Sequence, residues 1–247
     1  MGFDIAGRAA LVTGANRGIG KAIVEALLER GASRVWAAAR RVEVLSALKA
    51  AHGDRVEVLK LDVTSKADVA AAARKAIDVA LLVNNAGVAN ALGTPATDAE
   101  WVRVGRQEFD VNFFGSFAMS QAFTPALASN GGAIVNVVSV AGLVNFPMFL
   151  SYSASKAALH SLTQGLRAAL KGQGIQVFGI YPGPVDTDMA KGIPMDKASA
   201  QDVARAIVDG LAAGTEDIFP DAMAKQFGDT FFKSPKAAEE QLTSAGA

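Results

Sequence analysis

The sequence predicts a single-domain α/β fold built around one sheet, and three observations carry that prediction. Short apolar runs of strand length alternate with stretches whose apolar residues recur at helical spacing. The first apolar run, Ala9 to Val12, ends in a glycine-rich turn, Thr13 to Gly20, and passes directly into a helical pattern. Of the 247 residues 51% are hydrophobic and only 19% charged, enough to cover both faces of a sheet within one domain spanning 1–247.

Composition removes several function classes. Lysine plus arginine and aspartate plus glutamate are 24 each, so no net field attracts nucleic acid or an anionic membrane. There is no cysteine and there are two histidines, which leaves no thiolate nucleophile and makes a metal site unexpected. The opening Met1 to Arg8 is too polar for a signal peptide, and no apolar run is long enough to cross a bilayer. A soluble cytoplasmic protein is the expectation.

After the first strand, Ile23, Ala26, Leu27 and Leu28 fall on one helical face. Strand, glycine turn, helix presents backbone N–H groups and a positive helix end to a phosphate. The spacing is G-x-x-x-G-x-G through Gly14, Gly18 and Gly20. A phosphate loop of the G-x-x-x-x-G-K-S/T kind is excluded, because Ala15 and Ala22 stand where Gly and Ser or Thr are needed. The second strand, Arg34 to Ala39, runs into Arg40 and Arg41, where an acidic side chain would hold the ribose 2′-hydroxyl of NAD. With Arg17 in the turn, Arg40 suits a 2′-phosphate, so NADP (NADPH) is preferred over NAD.

Val56 to Asp62 alternates as a strand, and a helix follows from Lys66 to Ile77. Val79 to Val83 is the next strand. It ends in Asn84, Asn85, Ala86 and Gly87, where paired Asn residues satisfy turn backbone and the small residues admit a flat ligand. A long helix from Glu100 to Leu127 contains Asn112, which mid-helix needs a specific partner or solvent. The strand Ala133 to Val138 leads to Ser139. The apolar loop Ala141 to Leu150 is either packing or one wall of a pocket. Then come the helix Ser151 to Lys171, with His160 as a packing or surface residue, the strand Ile175 to Tyr181, a helix Ala200 to Ala213 and a last strand at Asp217 to Phe219. A short helix and a frayed tail are expected after Phe227.

The chemistry centres on Tyr152 and Lys156, four residues apart and therefore on one helical face. A phenol with a pKa of about 10 is a poor base, and bringing it near neutrality costs roughly 4 kcal/mol. One ammonium at about 4 Å supplies roughly that at an effective dielectric near 20, against about 1 kcal/mol in water. The pair works only in a cleft that excludes much of the water, with Ser139 holding a substrate oxygen and Tyr152 exchanging a proton with it.

Taken together, Thr13-Gly14-x-x-x-Gly18-x-Gly20, Asn84-Asn85-Ala86-Gly87, Asn112, Ser139, Tyr152-x-x-x-Lys156 and Pro182-Gly183-x-x-x-Thr187 resemble the short-chain dehydrogenase/reductase family in its single-domain branch. That resemblance covers about residues 7 to 220. It implies a Rossmann-type, doubly wound parallel sheet of seven strands in the order 3-2-1-4-5-6-7 with helices on both faces. It implies that Gly14, Asn16, Gly18, Ile19 and Gly20 meet the pyrophosphate and adjoining ribose, and that Arg17 and Arg40 take the 2′-phosphate. Asp62 and Val63 would flank the adenine, and Asn85, Ala86 and Gly87 the ribose. Tyr152 and Lys156 would bind the nicotinamide ribose, and Pro182, Gly183, Val185 and Thr187 would border the nicotinamide. Asn112, Ser139, Tyr152 and Lys156 would be catalytic, with Asn112 holding a water that links Lys156 to solvent.

The function expected is NADPH-dependent reduction of a ketone or aldehyde, reversible, in a pocket walled by Val140, Phe146, Phe149 and Met189, with Leu92 a further candidate. A 3-oxoacyl-carrier-protein reductase and a non-catalytic nucleotide sensor are the alternatives. The resemblance also implies a homotetramer or homodimer built through the two long helices.

Overall fold

The computed structural model describes residues 2–90, 100–192 and 195–244. Seven strands form one sheet: β1 (Ala9–Thr13), β2 (Arg34–Ala39), β3 (Val56–Lys60), β4 (Val79–Asn84), β5 (Ala133–Val137), β6 (Gln176–Ile180) and β7 (Asp217–Ile218). Their order is β3-β2-β1-β4-β5-β6-β7, and every neighbouring pair is parallel. A parallel sheet covered on both sides needs apolar residues at every position, which is why its strands read as continuous runs. Side chains still alternate between faces. Ala10 and Val12 of β1 join one buried cluster while Leu11 joins the other.

On one face, α1 (Gly18–Glu29), α2 (Ser46–His52) and α7 (Ala200–Ala213) cover the sheet with Ile23, Leu27, Leu48, Ile207 and Leu211. On the other, α3 (Lys66–Lys75), α5 (Ser116–Ser129) and α6 (Leu150–Leu170) contribute Val69, Met119, Phe123, Leu127 and Leu170. The chain leaves β1 in one direction to build β2 and β3 and returns to place β4 on its other side. The carboxyl ends of β1 and β4 therefore part, and a crevice opens between the loops that follow them.

Two expectations need correction. The helix expected over Glu100 to Leu127 is not uniform: α4 (Glu100–Phe109) continues into a π-helical turn, Asp110–Gly115, before α5. The wider turn carries Asn112, and Gly115 lets it lie against Val63, whose Cγ2 would stand 2.6 Å from an added Cβ. Among the described residues the chain after Phe227 is helical as far as Ser244, where a short helix and a frayed tail were expected. After β7 come α8 (Ala222–Lys233) and α9 (Pro235–Ser244). Phe227 and Ala238 of these helices are buried against Val140, with Phe146 and Leu143 packed around them. The chain end thus forms part of the wall beside Ser139, a long-range arrangement that local periodicity does not encode.

Candidate active site

A cleft of about 420 Å³ runs over the carboxyl ends of the strands. At one end the turn after β1 is shaped by Gly14 and Gly18, both at positive φ, 66° and 53°. A Cβ on Gly20 would fall 2.3 Å from the Gly14 carbonyl oxygen and 2.4 Å from Asn85 Nδ2, so the turn folds onto the Asn85 segment with no room for a side chain. The Oγ1 of Thr13 accepts from the N–H groups of Asn85 and Ala86, both at 3.0 Å, and Asn85 Nδ2 donates to the carbonyl oxygens of Thr13 and Gly14. Helix α1 begins at this turn without a side-chain cap, whereas Ser65, Ser199 and Asp221 cap α3, α7 and α8. Its first N–H groups suit a phosphate in place of a cap. A turn locked by glycines at an uncapped helix end fits a pyrophosphate.

Arg17 and Arg40 are exposed and line the cleft, as does Asp62. Asp62 Oδ1 accepts from the N–H and hydroxyl of Thr64 at 2.9 and 2.7 Å. The Thr64 backbone N–H is the main cause holding this carboxyl below its usual range, and Arg40 adds to it. Arg17 pairs with Asp188 at 2.8 Å, between the glycine turn and the segment after β6. Both partners are exposed, so the pair is weak and open to exchange with a better anion.

At the other end Tyr152, Ser139 and Lys156 meet. Ser139 follows β5; its Oγ accepts from the N–H of Ala141 at 3.1 Å and donates to the Pro182 carbonyl at 3.4 Å, and it is near enough to the Tyr152 hydroxyl to favour the ionised phenol. Lys156, one turn along α6, is buried; its Nζ donates to the Val137 carbonyl at 2.7 Å and lies 5.7 Å from the centre of the Tyr152 ring. Tyr152 keeps an edge open to the cleft but is otherwise enclosed. Burial shifts both groups. Burial pushes Tyr152 up to about 12, with the Glu108 charge adding and the Ser139 bond opposing. Burial also pushes Lys156 down to about 8.

Of the expected site residues, Gly14, Asn16, Arg17, Gly18, Ile19, Gly20, Arg40, Asp62, Val63, Asn85, Ala86 and Gly87 line the cleft. So do Ser139, Val140, Phe146, Phe149, Tyr152, Lys156, Pro182, Gly183, Val185, Thr187 and Met189. Leu92 lies outside the described residues. Asn112 is not on the wall. Its Oδ1 accepts from the Val88 N–H, and its Nδ2 donates to the Val88 carbonyl and to Ser155 Oγ, each at 2.9 Å. The partners demanded by a mid-helix Asn are thus the Val88 backbone and Ser155. His160 sits outside the cleft, its Nδ1 2.8 Å from the Tyr181 hydroxyl. Met148, Met195 and Met223 also line the cleft and were missed. Met148 lay in the apolar loop already suspected, but nothing local marks Met223, which is brought in by α8.

The family model described as short chain dehydrogenase matches residues 8–198. A short-chain dehydrogenase from Burkholderia cenocepacia J2315, solved in complex with NADP, is 40% identical with a TM-score of 0.89, over 97% of this chain and 99% of that one. The galactitol 2-dehydrogenase (L-tagatose-forming) of Cereibacter sphaeroides is 39% identical over 194 residues, 76% of this chain and 75% of that protein. The short-chain dehydrogenase PC-15 of Penicillium crustosum is 40% identical over 187 residues; the match spans 73% of this chain and 66% of that relative's own length. The chain belongs to the short-chain dehydrogenase/reductase family of NAD(P)-dependent oxidoreductases.

Proposed function

We propose that the protein is an NADPH-preferring carbonyl reductase for a ketone or aldehyde with an apolar body. The observation that carries this reading is that Tyr152, Ser139 and Lys156 line the same cleft as the glycine turn and the two arginines, Arg17 and Arg40. A nicotinamide held between Tyr152, Lys156 and the Pro182–Thr187 segment would supply the hydride for the carbonyl carbon. Ser139 orients the carbonyl oxygen by a hydrogen bond, and Tyr152 gives that oxygen its proton. Tyr152 is protonated at neutral pH, the form from which it donates. Lys156 bears positive charge beside the tyrosinate so formed.

The wall beyond Ser139 and Tyr152 speaks to the substrate. Val140, Phe146, Met148, Phe149, Met189, Met195 and Met223 offer no hydrogen-bonding side chain. A polyol would leave its hydroxyls unpaired there, which costs binding. A flat or branched apolar ketone finds soft, adaptable thioether contacts instead. We assign the protein to the cytoplasm and to a homodimer or homotetramer. Phe114 and Phe117, 56% and 42% exposed near the start of α5, favour burial against a second copy.

Purified protein should consume NADPH with simple aryl ketones, and Tyr152→Phe should end turnover while NADPH still binds. Full activity in that variant refutes the assignment.

A further inference from the structure

Two rungs tie the helical run containing α4 to α6, one on each side of Tyr152. In the first, Asn112 Nδ2 donates to Ser155 Oγ at 2.9 Å. In the second, one turn earlier on both helices, the Ser151 hydroxyl donates to Glu108 Oε2. Gly105 makes this approach possible: a Cβ there would stand 3.1 Å from the Ser151 Cβ. The other carboxylate oxygen, Oε1, accepts from the Asn90 N–H at 2.6 Å, next to Val88 and Ala89 on the cleft wall. Glu108 is wholly buried, at 0% exposure. A buried carboxylate is an expensive way to join two helices, since an amide or an apolar contact would do so at lower cost. Its charge therefore calls for a use.

We propose that Glu108 is a positioning residue for proton transfer, fixing through Ser151 the turn of α6 that carries Tyr152 and placing a negative charge near the phenol. This rests on the reductase reading of the site. Among the described residues, the ionisable groups that bear on the phenol are Glu108 from α4 and Lys156 from α6. Burial raises the proton affinity of Tyr152, Glu108 raises it further, and the Ser139 bond opposes both. Glu108 thereby makes the tyrosinate, the form that takes a proton in alcohol oxidation, harder to reach.

The test uses two variants and the pH profile of kcat/KM for oxidation of the product alcohol. Glu108→Gln keeps the acceptor for Asn90 and removes the charge. Its oxidation limb should move to lower pH by about half a unit or more, with NADPH affinity unchanged. Ser151→Ala keeps the charge and removes the rung. It should lower kcat by about fivefold or more without moving the limb, and Ser151→Thr should restore kcat. An unmoved limb in a folded Glu108→Gln overturns the proposal. So does a parallel loss of NADPH binding and turnover in both variants, which marks a merely structural contact. Should Glu108→Gln not fold, Ser151→Ala decides: a wild-type kcat there overturns the proposal. Activity surviving in Tyr152→Phe would sink the reductase reading itself, a separate result from any of these.

Discussion

Lys156 Nζ donates to the carbonyl oxygen of Val137 at 2.7 Å, joining the helix that carries Tyr152 to the end of the strand that leads to Ser139. The bond fixes two catalytic candidates from different elements relative to each other. It also holds a cation away from water, and burial lowers its pKa to about 8.

Replacing Lys156 by Met should end turnover yet raise the melting temperature at neutral pH by a few degrees. A lysine held below its unfolded value of 10.5 costs the fold stability in full below about 8, and the cost fades as pH rises towards 10.5. The gain in the variant should be largest near neutrality and vanish near pH 10.5, less about 1 kcal/mol for the lost bond to Val137. Thermal melts at both pH values check this; a lower melting temperature at neutral pH would count against it.

Arg40→Asp should reverse cofactor preference, lowering kcat/KM for NADPH by about 100-fold while NADH improves. The carboxylate would repel a 2′-phosphate and accept from a 2′-hydroxyl. Kinetics with both nucleotides decide, and an unchanged ratio would mean the 2′-phosphate is read elsewhere.

Gly20→Ala should fail at the nucleotide end. The added methyl falls within 2.4 Å of the Gly14 carbonyl oxygen and Asn85 Nδ2, so backbone must move, at a cost of about 1–3 kcal/mol. Weakened NADPH binding by calorimetry, with a reduced denaturation midpoint, is the expected result.

Phe227→Ala should act at the substrate end. The ring is 3% exposed and lies 5.8 Å from the ring of Phe146, centre to centre. Its removal should cost about 3–5 kcal/mol, loosen α8 and raise KM for the ketone more than for NADPH. Steady-state kinetics with chemical denaturation measure both effects.

The nucleotide end of the cleft was legible in the sequence because its parts are local. A glycine turn, an arginine at a strand end and small residues after β4 each state their conformational demand within a few positions. The Tyr152–Lys156 spacing belongs with them. The substrate end was only half legible: Phe146 and Phe149 announced themselves in an apolar loop, whereas Met223 and the Glu108–Ser151 rung join residues from distant parts of the chain.

By itself the sequence determined the strand and helix alternation, the glycine turn and the spacing of the reactive pair, since periodicity and φ preference act over single turns of chain. Tertiary structure alone decided that α8 and α9 close the wall beside Ser139, and that Asn112 serves Val88 and Ser155. It also decided how deeply Tyr152 and Lys156 are buried, and burial shifts the acidity of both. Each of these depends on how many atoms from remote segments crowd one point, and desolvation and long-range contact are properties of that crowding.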